Sequence, residues 1–120
     1  MLDWELCTLG DPLADVGYVM NNWTEPGEKS PVRLMAKAPT ACGEFPSRAE
    51  FIAEYARRTG RDVSGLAYYR AFQYWRLAAI AEGGLARYRA GAMGDQADTD
   101  RIARSVESLA ETAAAMLDCT

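Results

Sequence analysis

The sequence predicts an all-α chain, four helices forming a single helical domain over residues 1–120, and three observations carry that prediction. Apolar residues recur at helical spacing in four separate stretches. Those stretches are punctuated by residues that start or stop helices, namely Asp11-Pro12, Ser47 with Glu50, and Gly60. A chain of 120 residues buries about two thirds of its unfolded surface, which suffices for one core and not for two lobes with a cleft between them.

Met1 to Glu5 is too short to be judged alone. Asp11 suits the cap of the first helix and Pro12 its first residue, because the carboxylate accepts orphan backbone N–H groups and proline has none to leave unpaired. Leu13, Val16, Met20 and Trp23 then define one buried stripe. The stretch from Thr24 to Pro46 contains Pro26, Gly27, Pro31, Pro39, Gly43 and Pro46, so a long loop is expected there. Ser47 followed by Glu50 is a capping-box signature. It opens a second helix with Phe51, Ile52, Tyr55 and Ala56 on its apolar face and Gly60 as its stop.

From about Ser64 to Ala90 only Arg70, Gln73 and Arg76 interrupt an apolar run that reaches Ala81. Such a narrow polar stripe predicts a third helix wrapped by others on most sides, with Gly83-Gly84 as a place to kink. After a connector from Gly91 to Asp98, the series Ile102, Val106, Leu109, Ala113 and Met116 predicts a one-faced fourth helix along the outside of the bundle. Asp95, Asp98 and Asp100 lack the central glycine and terminal glutamate of a calcium loop, so capping of that helix is the better account.

Composition narrows the function. With 49% hydrophobic and 25% charged residues the chain is ordinary globular material and not a disordered tail. A net charge of −4 without a basic block or stripe excludes nucleic acid and anionic membrane surfaces as expected partners. Cys7, Cys42 and Cys119 are widely spaced and form no CxxC pair, which reads as reduced thiols in a cytoplasmic protein. Neither a signal peptide nor an eighteen-residue apolar run is present, so the expectation is a soluble protein.

The most informative residues are the first fifteen. Leu2-Asp3-Trp4-Glu5, followed by Asp11-Pro12-Leu13-Ala14-Asp15, resembles the aminoglycoside phosphotransferase family of small-molecule kinases, which is close in fold to choline kinases and more distantly related to protein kinases. In that family this segment lies past the middle of the chain and Met1 to Glu5 corresponds to the end of a strand. The nucleotide-binding lobe and the catalytic loop, written His-Gly-Asp with an Asn five residues later, precede it. The present sequence contains no histidine, so the resemblance implies the C-terminal subdomain of a kinase-like fold with a short N-terminal strand remnant.

Phosphoryl transfer requires positioned magnesium because the migrating group and its leaving partner carry several negative charges. The resemblance makes Asp3 the ligand of the magnesium ions that bridge the ATP phosphates and Glu5 a second acidic ligand. In an extended segment residues two apart face the same side, so both carboxylates can reach one cluster while Trp4 turns into the core. Asp15 corresponds to a family aspartate that supports the site by anchoring the backbone of the catalytic loop. The family's general base, its asparagine ligand and its ATP-gripping lysine all belong to the missing parts.

Outside the motif, Tyr68, Tyr69, Phe72, Tyr74 and Trp75 are candidates for a substrate pocket, although aromatics at helical spacing are more often core. Tyr69, Trp75 and Arg76 are the residues expected to line it. Arg70 and Arg76 suit an anionic substrate, while the plainer fate of such arginines is to pair with an acid or reach out to water. The run Phe51 to Asp62, with Tyr68-Tyr69, Phe72 and Trp75 to Ile80, is similar to the kinase-like domain found ahead of some acyl-CoA dehydrogenases. That branch is linked to phosphorylation of hydroxyl groups on acyl chains.

The expected function is therefore the C-terminal fragment of an ATP-dependent phosphotransferase acting on a small-molecule hydroxyl, inactive alone. Two rivals stand beside it: a noncatalytic helical binding module, and a subunit completed by a separate chain. A start misread within a longer gene and a genuine gene remnant both explain the length. Loss of a lobe predicts exposed apolar surface around Leu2, Trp4 and Leu13, and with it self-association or a partner chain.

Overall fold

The computed structural model describes residues 9–28, 39–91 and 99–118. Their helices are α1 (Leu13–Asn22), α2 (Arg48–Thr59), α3 (Leu66–Arg89) and α4 (Thr99–Asp118), with one 3-10 turn at Pro39–Cys42. No strand occurs among the described residues, and the all-α expectation holds for them. The expected strand end with Leu2, Asp3, Trp4 and Glu5 lies outside them, as do Cys7, Cys119, Asp95, Asp98 and residues 29–38 of the long loop.

Local chemistry accounts for the helix ends. The Ser47 hydroxyl accepts the Glu50 N–H at 3.1 Å, and Gly60 closes α2 with φ 68°, a left-handed conformation that glycine adopts without strain. Ser47 thus opens α2 and Gly60 ends it, as their sequence positions predict. Helix α3 runs unbroken through Gly83-Gly84, where a kink was an option.

The long central helix α3 packs against both α1 and α4. Two hydrophobic clusters result. Leu13, Val16 and Met20 of α1 meet Leu66 of α3, with Trp23, Phe51, Ile52, Tyr55, Val63 and Tyr69 packed around them. Tyr74 and Ala78 of α3 meet Leu109 and Ala113 of α4, flanked by Leu77 and Met116. Each large apolar side chain so buried contributes about 1.5–3 kcal/mol. Leu13 is only 6% exposed, so the apolar surface expected around it is instead part of the core.

Contact between α1 and α3 is close because Gly17 faces the backbone of α3. A Cβ there would lie 3.0 Å from the Tyr69 carbonyl carbon and 3.1 Å from the Arg70 nitrogen. Along the same seam the Asn21 amide donates to the Arg70 carbonyl at 2.9 Å, Arg70 Nε donates back to Asn21 Oδ1 at 2.9 Å, and Gln73 Nε2 donates to the Ala14 carbonyl at 2.9 Å.

The environment of α3 corrects the sequence reading. Among the described residues it is covered by α1 and α4 rather than on most sides, and its polar residues Arg70 and Gln73 are turned towards α1. Its apolar residues Tyr68, Phe72 and Trp75 are instead 56%, 40% and 59% exposed, so of the aromatic cluster only Tyr74 is buried. The reason is that Asn21 and the Ala14 carbonyl offer partners to the polar stripe, and a satisfied polar seam carries little burial penalty.

Candidate functional site

The described end of the candidate site is the start of α1. Asp11 organises it through three acceptors: its Oδ1 takes the Leu13 N–H at 2.9 Å, its carbonyl takes the Ala14 N–H at 3.0 Å, and its Oδ2 takes the Tyr69 hydroxyl at 3.0 Å. Pro12 has helical angles, φ −56° and ψ −22°, and its carbonyl accepts the Val16 N–H at 3.2 Å. Asp11 thus behaves as the cap expected of it, with its second carboxylate oxygen pinned to α3. Donation to that carboxylate pushes the Tyr69 phenol above its ordinary value of 10.0, since losing the proton would set two negative groups together.

One turn further on, Asp15 stands exposed, and its carboxylate takes no hydrogen bond from the described residues. Its position follows from the stripe that anchors α1: with Leu13, Val16, Gly17 and Met20 turned inward, Asp15 must face out together with Tyr18, Val19 and Asn22. Tyr18 and Val19 are both large exposed apolar residues.

The three pocket candidates occupy two faces of α3. Tyr69 reaches Asp11, and Arg76, on the same side of the helix, donates from Nη1 to Gln73 Oε1 at 3.4 Å. Trp75 is on the exposed face, its ring centroid 6.1 Å from that of Phe72. Arg70 pairs with the Asn21 amide rather than with an acid, and burial draws its guanidinium below the usual arginine range. Cys42 is an exposed free thiol. Among the described residues no group of three or more Cys, Asp or Glu could hold a metal ion, and the proposed ligands Asp3 and Glu5 lie outside them.

Sequence reasoning missed the most connected side chain. Arg48, at the start of α2, donates from Nε to the Met20 carbonyl at 3.1 Å and from Nη2 to the Trp23 carbonyl, so it caps the C-terminal end of α1. Glu28 holds the guanidinium by two bonds of 2.7 and 3.1 Å, and this pairing lowers the Glu28 carboxyl below its ordinary value of 4.5. The Arg48 N–H in turn donates to Glu25 Oε1 at 2.8 Å. Trp23 Nε1 donates to the Pro46 carbonyl at 3.0 Å and the Thr24 N–H to Thr40 Oγ1 at 2.9 Å, so the loop after α1 is tied down at both described ends. No helix among the described residues is long and apolar enough to cross a membrane.

Comparison with known proteins adds a family. The model of the phosphotransferase enzyme family matches residues 1–72. Acyl-CoA dehydrogenase family member 10 of Mus musculus is 32% identical over 114 residues, covering 94% of this chain and 11% of that protein. Acyl-CoA dehydrogenase family member 11 of Rattus norvegicus is 32% identical over 114 residues, and its Homo sapiens counterpart 30% over 114; each match covers 93% of this chain and 14% of the relative. The chain therefore spans between 11% and 14% of the length of these curated relatives. No solved structure matches it.

Proposed function

The chain belongs to the phosphotransferase enzyme family, and we propose that its residues form the C-terminal helical part of an ATP-dependent enzyme that phosphorylates a hydroxyl group on a small molecule. The observation that carries this reading is the outer face of α1, where exposed Asp15 lies beside exposed Tyr18 and Val19, within the span that the family model matches. In this reading Asp15 supports a catalytic loop supplied by chain outside these residues. Tyr69 fixes the start of α1 through Asp11. Similarity to acyl-CoA dehydrogenase family members favours a hydroxyacyl compound as the phosphate acceptor.

Asp3 and Glu5 are the proposed magnesium ligands, and the chemistry of the donor set fits: magnesium takes hard oxygen donors and is held by one or two carboxylates beside the phosphates. When bound, the metal supplies charge neutralisation at the nucleotide phosphates. Positioning by the catalytic loop and the nucleotide-gripping lobe contributes most of the rate in such reactions. These 120 residues alone are accordingly inactive.

A chimera tests the reading. Residues 1–120 replace the matching segment of a family member's kinase-like domain, and magnesium-dependent phosphate transfer from ATP to hydroxyacyl compounds is measured. Transfer by the chimera, its loss in Asp3→Asn, and none by the 120-residue chain alone are the expected results. A folded chimera whose transfer survives Asp3→Asn would remove Asp3 from the metal site.

A further inference from the structure

Gln73 lies in the seam between α1 and α3, 7% exposed, and donates from Nε2 to the Ala14 carbonyl at 2.9 Å. Helix α1 already gives that carbonyl a partner, since in an α-helix it accepts the N–H four residues on, that of Tyr18. The glutamine amide is therefore a second donor on a satisfied acceptor. Burying an amide carries a desolvation cost that its hydrogen bond offsets with little surplus, whereas a Leu or Met there would gain from burial outright. Stability alone does not call for glutamine at this place.

What the bond does supply is a fixed rotation of α1. Arg76 can only donate, and its Nη1 faces Gln73 Oε1 at 3.4 Å, so the amide nitrogen is turned to Ala14. Contacts with α3 recur along one face of α1 and its approach: Tyr69 on Asp11, Gln73 on Ala14, and the Tyr69-Arg70 backbone against Gly17. The first reaches a side chain and the last is close packing. Gln73 alone among the described residues holds the backbone of the first turn of α1 from α3 by a directed bond. The next residue along is Asp15, which faces out.

We propose that Gln73 is a positioning residue for phosphoryl transfer: it sets the rotation of the first turn of α1, and through it the place of the Asp15 carboxylate. This role depends on Asp15 supporting a catalytic loop, as in the function proposed above. A side chain reaches about 5–6 Å from the axis of a helix about 10–12 Å across, so a roll of about 10° moves its end by about 1 Å. Misplacement by about 1 Å in a catalytic constellation lowers the rate about 10²-fold. A slackened hold on α1 is thus large for the reaction and slight for the fold.

The chimera that carries residues 1–120 within a family member's kinase-like domain tests this through kcat and KM. Gln73→Met keeps the volume and removes the donor. Gln73→Glu keeps the shape, and its carboxylate accepts from Arg76 but has nothing to give Ala14. Both should retain helical circular dichroism and lose about 10- to 100-fold in kcat, with KM for ATP within about threefold of wild type. Asn21→Ala, on the same seam but in the last turn of α1, should weaken the fold and leave kcat unchanged. Because Gln73 acts through Asp15, Gln73→Met added to Asp15→Ala should lower kcat no further. An active chimera whose kcat survives both Gln73 substitutions, or in which the Gln73 and Asp15 losses add, would overturn the inference and leave the phosphotransferase reading standing. An equal kcat loss in Asn21→Ala would overturn it too, because any loosening of the seam would then suffice. A chimera inactive in every form, its wild type included, removes the reading and the inference together.

Discussion

Asn21 on α1 and Arg70 on α3 exchange two hydrogen bonds of 2.9 Å, the amide of Asn21 giving to the Arg70 carbonyl and taking from Arg70 Nε. Asn21 is buried and Arg70 half-buried, so Asn21 cannot turn to water when its partner is removed and the Arg70 carbonyl and guanidinium are at best partly rehydrated. Asn21→Ala should cost about 1–3 kcal/mol, the range for leaving a buried polar group unsatisfied. In a urea-denaturation cycle, Asn21→Ala with Arg70→Met should lose less than the sum of the single losses. Additive losses would show that the two residues act independently.

Gly17 lies against the α3 backbone with no room for a methyl group. Gly17→Ala forces the helices apart and should destabilise the fold by about 1–3 kcal/mol, as overpacking does. Gly84 provides the control, because a Cβ there meets nothing within 4 Å. Gly84→Ala should raise stability by about 0.5–1 kcal/mol through helix propensity alone. Similar signs for the two substitutions in thermal melts would contradict the close approach of α1 and α3.

Arg48 couples α2 to the end of α1 through carbonyls, and its mostly buried guanidinium is held by a more exposed Glu28. Removing Arg48 should therefore cost more than removing Glu28. Arg48→Ala is expected to lose about 1.5–3 kcal/mol, the range for hydrogen bonds to a charged group, and Glu28→Gln under about 1 kcal/mol. Equal losses would mean that the ion pair matters and the capping of α1 does not.

Acid should weaken the fold through two carboxylates. The Glu28 carboxyl is lowered below 4.5 by Arg48, and that of Glu54 to about 2 by hydrogen bonds from Arg57 and Arg58. A depressed folded-state value means that the unfolded chain takes up protons first. The stabilisation is present above about 4.5 and is lost as pH falls, for Glu54 through about 2. In stability measured against pH, Glu28→Gln and Glu54→Gln should each flatten the slope below 4.5 without altering it at neutral pH. Unchanged acid slopes in both variants would refute the pairings.

The Tyr69 phenol is held above 10.0 because its O–H donates to the Asp11 carboxylate. The raised value means that its contribution is complete below 10 and fades as pH rises through the folded-state value. Tyr69→Phe should leave the helices intact yet speed hydrogen exchange at the Leu13 and Ala14 amides, which Asp11 secures. Unaltered exchange there would show that Asp11 does not need the phenol.

The separation between what was legible and what was not follows the range of the interactions. Helix starts and stops were readable because caps act within a few residues: Ser47 on Glu50, Asp11 on Leu13, Gly60 through its own φ. The inward stripe of α1 was readable for the same reason, and so was the acidic motif that led to the family. Tertiary structure alone decided which face of α3 would be covered, because the partners of Arg70, Gln73 and Tyr69 lie 49, 59 and 58 residues away in the chain. Local periodicity weighs an aromatic face as core and a polar stripe as surface. Where a second helix brings its own amide and carbonyl to the polar stripe, that weighting reverses, and only the folded chain shows that it has.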